Sequence, residues 1–166
     1  MASAPDWLPP LVLFQDHGGN WNCYLKALYG YFKKDFVNDS PSFRGTRLGL
    51  KRYPMEQGKE ATFWHLISEG RSEDERLPDL RRCERIRWPR PVIEHAGEPV
   101  IKVWKNKRGS EQRVCIWFEA VEYLVVLAVR QGYILLWTAY PVTESHRKRK
   151  LQKEYEAHIK ANVASC

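Results

Sequence analysis

The run YLVVLAVRQGYILLWTAYP, residues 123–141, decides the fold. It is the longest apolar region of the chain, and it is interrupted by Arg130, Gln131 and Gly132. A membrane span needs about 18 or more continuous apolar residues. Two apolar arms joined by Gln-Gly are instead a β-hairpin with a tight turn. In the first arm Tyr123, Val125, Leu127 and Val129 share one face, and Leu124, Val126 and Ala128 share the other. Side chains alternate along a strand, so both faces are apolar and the sheet is expected to be central and covered on both sides.

Working outward, residues 100–105 and 113–118 are rich in valine, isoleucine and aromatics and read as two more strands joined by the loop NKRGSEQ. The result is a four-stranded antiparallel meander. After Pro141, Thr143 is placed to cap a last helix with Leu151, Tyr155 and Ile159 as its apolar stripe. Upstream, Asp79 starts a helix, DLRRCERIRW, that Pro89 is expected to end. Residues 61–68 read as a short helix, MEQGKE as a loop, and SFRGTRLGLKRYP (42–54) as an edge strand or extended segment. Asn20 caps a first helix whose Trp21, Tyr24, Leu25, Leu28, Phe32 and Phe36 recur at helical spacing. The expected architecture is α+β: N-terminal helices packed on a four-stranded antiparallel meander sheet, with a C-terminal helix. Residues 1–19, rich in proline and glycine, form an irregular N-terminal arm, and residues 20–166 form a single domain.

The 166 residues are enough to bury a sizeable core. Hydrophobic residues make up 43% and charged residues 28%, which excludes a disordered chain. The net charge of +7 points to an anionic partner, nucleic acid first, although such a charge also serves solubility. Cys23, Cys83, Cys115 and Cys166 match no zinc or disulfide spacing and read as reduced thiols of a cytoplasmic protein. The first residues carry no charged n-region, so no signal peptide is read, and Met1 favours a complete chain.

Three stretches carry chemistry. GTRLGLKRYP places basic side chains, Arg47, Lys51 and Arg52, along an extended segment. RRCERIRWPR, residues 81–90, holds five arginines and one glutamate. LLWTAYP interrupts an apolar strand with Thr138, which shares a face with Tyr140. TFWHL adds His65, the one side chain here that titrates near neutral pH. Each has a plain structural reading. The arginines can be a solvated face paired with Glu69, Glu73, Asp74, Glu75 and Glu84; Thr138 can bond a neighbour; His65 can be a satisfied core residue. Together they are also the set that RNA cleavage requires: a base for the 2′-hydroxyl, an acid for the leaving oxygen, and cations for the phosphate. No carboxylate or His/Cys cluster has metal-ligand spacing.

Taken together, RGTRLGLKRYP (44–54), TFWHL (62–66), DLRRCERIRWPRP (79–91) and YLVVLAVRQGYILLWTAYPV (123–142) resemble the phage-associated branch of the Barnase–EndoU–colicin–RelE-like nucleases, over residues 43–155. The resemblance implies a small ribonuclease fold that needs no metal or other cofactor and acts as a toxin or phage-related effector. An antitoxin or immunity protein is then a possible partner, and no membrane is involved. It implies His65 as general acid or base, and Arg85 as a phosphate ligand of the catalytic group. Thr138 and Tyr140 become hydroxyl donors. Arg47, Lys51, Arg52, Arg81, Arg82 and Arg87 would hold the RNA. The chain departs from an obvious acid–base pair, because His17, His95, His146 and His158 lie in no comparable motif. A non-catalytic RNA- or DNA-binding module on the same fold, and a protein-interaction domain using exposed aromatics, are the competing readings.

Overall fold

The structure, a computed structural model, describes residues 4–164. The readings of Met1 and Cys166 lie outside the described residues. Cys23, Cys83 and Cys115 carry free thiols.

Asn20 caps the first helix as expected: its side chain accepts from the Cys23 amide at 3.0 Å, and α1 runs Trp21–Phe32. Tyr24, Leu25, Leu28 and Phe32 are its buried face. A single wide turn, Lys33–Val37, extends it and buries Phe36. Residues 4–19 have no regular structure beyond one tight helical turn, Phe14–His17, yet they pack on the body. The Trp7 ring stacks on His95 at 4.0 Å, the Trp88 indole donates to the Pro9 carbonyl at 2.8 Å, and the Tyr24 hydroxyl donates to the Val12 carbonyl at 2.7 Å.

Strands β1 (Ser42–Phe43) and β2 (Thr46–Leu50) form a small hairpin. Helix α2 (Ala61–Ile67) follows, then the short strands β3 (Ser68–Glu69) and β4 (Leu77–Pro78), which pair with each other. Helices α3 (Leu80–Glu84) and α4 (Pro89–Glu94) come next. Strands β5 (Lys102–Arg108), β6 (Glu111–Phe118), β7 (Tyr123–Arg130) and β8 (Tyr133–Pro141) lead to α5 (Ser145–Ala164).

The fold is α+β, but the sheet is wider than a four-stranded meander. It has six strands in the order β1-β2-β8-β7-β6-β5. The last four pair antiparallel in sequence order, and β2 joins β8 in parallel, so the sheet is mixed. The segment 46–50 cannot be placed from its own alternation, because parallel pairing is set by the intervening chain. Its neighbours are corrected too. The NKRGSEQ stretch is mostly strand, with only Gly109 and Ser110 between β5 and β6. Pro89 does not end the arginine-rich helix. That helix stops at Glu84, and Pro89 is the first residue of α4, where its missing amide hydrogen costs nothing. The last helix begins at Ser145 rather than directly after Thr143, and of its stripe Leu151 and Tyr155 pack while Ile159 is exposed.

The sheet is covered on both sides. One face packs Tyr123, Val125, Leu127, Leu136 and Ala139 against α1, α2 and α4. The other packs Trp104, Trp117, Leu124 and Val126 against Leu151 and Tyr155 of α5. No helix among the described residues is long and apolar enough to cross a membrane.

The parallel pair is short. Leu48, Gly49 and Leu50 match Ile134, Leu135 and Leu136, and then the strands part. The start of α2 enters the gap. The Ala61 and Thr62 amides donate to the carbonyls of Arg52 and Lys51, both at 3.0 Å. The fully buried Thr62 hydroxyl accepts from the Lys51 amide at 2.8 Å and lies 3.5 Å from the Leu136 carbonyl. Thr62→Val keeps the shape and removes these bonds. It is expected to destabilise the protein by about 1–3 kcal/mol, the cost of leaving buried backbone groups unpaired, measured by urea unfolding.

Candidate functional site

Past the gap, the C-terminal end of α2 faces the far half of β8. A helix end leaves carbonyls without partners, and here the side chains that supply them also build a cleft. The His65 carbonyl accepts from the Thr138 hydroxyl at 2.9 Å and from Arg82 at 3.2 Å. The Ser68 carbonyl accepts from Arg76 at 2.6 Å and Arg82 at 2.8 Å. The Ile67 carbonyl accepts from the Asp79 amide at 2.8 Å. Guanidinium groups at this end also meet the negative pole of the helix. Burial lowers both arginines from their ordinary value, and each also feels nearby charge: the Arg82 cation lowers Arg76 further, while Asp79 and Glu69 support Arg82.

The cleft has a volume of about 490 Å³. His65, Arg82, Thr138 and Tyr140 line it, together with Glu69, Glu73, Arg71, Arg76, Trp137 and Arg147. Strand β8 reaches it through a bulge: Val126 pairs with Thr138 but Leu127 pairs with Leu136, so Trp137 is the extra residue. Bulges re-aim side chains, and this one sets the Trp137 ring edge-on to His65 at 5.1 Å between centroids. Lys51 and Arg113 each stand 5.4 Å from the Trp137 ring centre.

The central contact joins His65 to a residue that no motif singles out. His65 Nε2 lies 2.7 Å from Glu73 Oε1, and Lys51 Nζ stands 4.0 Å from the same oxygen. A carboxylate only accepts, so Nε2 carries the proton. Glu73 arrives on residues 70–76, which bridge β3 and β4. Gly70 permits the tight crossing, because a Cβ there would stand 2.7 Å from the Glu75 carbonyl oxygen. The two partners differ in access. The His65 side chain is 4% exposed and Glu73 is 41% exposed, so the carboxylate is the member that meets solvent.

Burial lowers the His65 imidazole below its ordinary value. The Glu73 hydrogen bond works against this, and Arg76 and Lys51 add to it. For Glu73, burial works upward, but the His65 bond and the Lys51 and Arg76 charges prevail and hold it below the ordinary carboxylate range. Burial raises the Tyr140 phenol, with the Arg82 and Arg147 charges opposing, and the Arg82 guanidinium sits 4.9 Å over its ring.

Of the residues picked out from sequence, His65, Lys51, Arg82, Thr138 and Tyr140 come together. The remaining arginines stand elsewhere. Arg85 lies beyond the end of α3, donates to the Arg81 carbonyl at 2.9 Å and covers Trp88. Arg87 sits over the Tyr31 ring at 4.9 Å. Arg81 is exposed and pairs with Glu84 at 3.4 Å. Arg81 points from another face of α3 than Arg82, and the helix break after Glu84 carries Arg85 and Arg87 elsewhere. Arg47 and Arg52 line a different groove, beside Tyr29 and Tyr53. Glu73, Arg76 and Trp137 are site residues that the sequence does not single out, whereas Arg147 belongs to the basic run HRKRK (146–150), whose composition suits an RNA-binding surface. The acids at 69–75 pair on paper only with arginines, and no local pattern joins position 73 to position 65. Among the described residues, no three His, Cys, Asp or Glu side chains stand close enough to hold a metal ion.

The lowered His65 value has a measurable consequence. As pH falls below the unfolded imidazole value of about 6.5, the unfolded chain takes up a proton that the folded chain does not. Stability contributed at neutral pH is therefore lost as the pH drops from there toward the folded value. Between about pH 7.5 and 5, the wild-type melting temperature is expected to fall more steeply than that of His65→Gln. Parallel curves would show that His65 does not titrate differently on unfolding.

No family model, no curated protein and no solved structure matches the chain, so the chemistry of the cleft carries the functional reading.

Proposed function

We propose that the cleft is the active site of an endoribonuclease that uses no metal. The observation that carries this reading is the His65–Glu73 pair at 2.7 Å, set among Lys51, Arg71, Arg76, Arg82 and Arg147. An exposed carboxylate held by a buried imidazole is a proton acceptor with a fixed position. The surrounding cations suit a phosphodiester that gains charge in the transition state. The same activity is what the resemblance to the Barnase–EndoU–colicin–RelE-like nucleases implies.

In this mechanism Glu73, backed by His65, takes the proton of the RNA 2′-hydroxyl. The 2′-oxygen attacks phosphorus, and the bond from phosphorus to the 5′-oxygen breaks. Tyr140, kept protonated by its raised pKa, gives its proton to the departing 5′-oxygen. The products are a 2′,3′-cyclic phosphate and a 5′-hydroxyl, and the pair returns its proton to Tyr140 through solvent. Lys51 and the exposed Arg71 and Arg147 meet the phosphate oxygens. Arg82 and Arg76 contribute charge while their hydrogen bonds to α2 keep them in place. His65 is a positioning residue, since Glu73 stands between it and solvent. Thr138 has the same role, because its hydroxyl is spent on the His65 carbonyl.

The test is cleavage of total RNA and tRNA in EDTA. Glu73→Gln is expected to lose about a hundred- to ten-thousand-fold in rate while keeping the wild-type melting temperature and RNA affinity. In the wild type, kcat/KM is expected to fall with acidity only below about pH 6.5, because both members of the pair have lowered values. Intact RNA with a salt-dependent gel shift would replace the enzyme with the non-catalytic binding module.

A further inference from the structure

Next to the His65 cleft is a second hollow of about 240 Å³, lined by Arg108, Tyr140, Arg147, Lys150 and Glu154 among others. Tyr140 and Arg147 line both spaces, so the two lie on either side of the same side chains. The cations come from separate places in the chain. Arg108 ends β5, and Arg147 and Lys150 lie in the first two turns of α5. All three are exposed.

Their pairing is unlike that of their neighbours. On the same side of the molecule Lys102 is paired with Glu119 at 2.9 Å, and Lys148 with Glu122. Among the described residues, Arg108, Arg147 and Lys150 have no carboxylate within 4.0 Å. Glu154, the one acid lining the hollow, instead accepts from the Asn106 amide at 2.9 Å. Folding therefore gathers three cations around a single carboxylate that pairs directly with none of them, which leaves the hollow with an excess of positive charge. Within the cleft itself the acids Glu69 and Glu73 stand among Arg71, Arg76 and Arg82, whereas Arg147 leads out of it toward α5. Arg147, which lines both spaces, offers a polyanion in the cleft a contact toward α5.

We infer that this hollow is a second phosphate subsite of the proposed ribonuclease site. A single-stranded RNA with its reacting phosphate in the His65 cleft lays its neighbouring phosphate past Tyr140 onto Arg108, Arg147 and Lys150. The inference rests on the ribonuclease reading. It selects single strands because bases splayed from a single strand can meet the Trp137 and Tyr140 rings, which a closed duplex cannot offer.

The test uses Arg108→Gln combined with Lys150→Gln, two exposed positions outside the His65 cleft. Cleavage is compared on a dinucleotide, which has one phosphate, and on a single-stranded oligonucleotide of about twelve residues. Binding of the oligomer with 2′-deoxy sugars is measured against salt. The double variant is expected to cleave the dinucleotide as the wild type does. On the oligomer its kcat/KM should fall about tenfold, and the slope of log affinity against log salt should shrink by about 0.7 for each phosphate that the variant no longer neutralises. An equal drop on both substrates, or no drop on either, overturns the subsite and leaves the ribonuclease reading standing. A wild type that binds the oligomer without cutting it, with a variant that binds less, overturns the ribonuclease reading and keeps the phosphate track. A wild type that neither binds nor cuts overturns both.

Discussion

The parting of two parallel strands is the constraint from which the rest of the molecule follows. β2 and β8 match over Leu48–Leu50 and Ile134–Leu136 only, and beyond that each strand has a bare edge. A buried edge must be paired. The chain answers by driving the start of α2 into the gap, with Thr62 completing the bonds that a further strand pair would have made. That insertion fixes the direction of α2. It points the C-terminal end of the helix, with its unpartnered carbonyls, at the far half of β8.

Those carbonyls then call for donors, and the donors are charged. Arg76 and Arg82 close the end of α2 and at the same time line the cleft. A guanidinium tied to carbonyl oxygens keeps its charge, because the acceptors are neutral and do not cancel it. Arg82 also has Glu69 at 3.9 Å and Asp79 at 4.0 Å beside it, whereas Arg76, among the described residues, has no acid within 4.0 Å. Substituting Arg82 would disturb both the helix end and the cleft, so Glu73, on an exposed turn, separates catalysis from folding more cleanly.

The distribution of charge matters more than its sum. The net of +7 is shared between cations that hold the fold together, such as Arg113 and Arg130 on Glu111, and cations with no acid to meet. The second kind lies along one side of the cleft and on the start of α5. Glu69 and Glu73 line the cleft as well. Glu69 stands 3.9 Å from Arg82, and Glu73 bonds the His65 imidazole.

The sequence alone was sufficient for what local periodicity and capping control. The Asn20 cap, the face of α1, the short helix at 61–67, the hairpin around Gln131-Gly132 and the two-sided cover of the sheet were all legible. Each depends on neighbours a few residues apart. It also named His65, Lys51, Arg82, Thr138 and Tyr140 within a wider set of ten, because basic, aromatic and hydroxyl side chains are visible one stretch at a time, but it did not separate them from Arg47, Arg52, Arg81, Arg85 and Arg87. What only the tertiary structure decided is longer in range. The parallel pairing of β2 with β8 joins residues more than eighty positions apart. The break after Glu84 sends Arg85 and Arg87 away from the cleft, and the bulge at Trp137 turns that ring onto His65. Glu73 reaches His65 through a loop of no periodic pattern. A hydrogen-bonding partner supplied by such a loop leaves no mark in the order of residues, since what specifies it is the position of two backbone segments that meet only after the chain has folded.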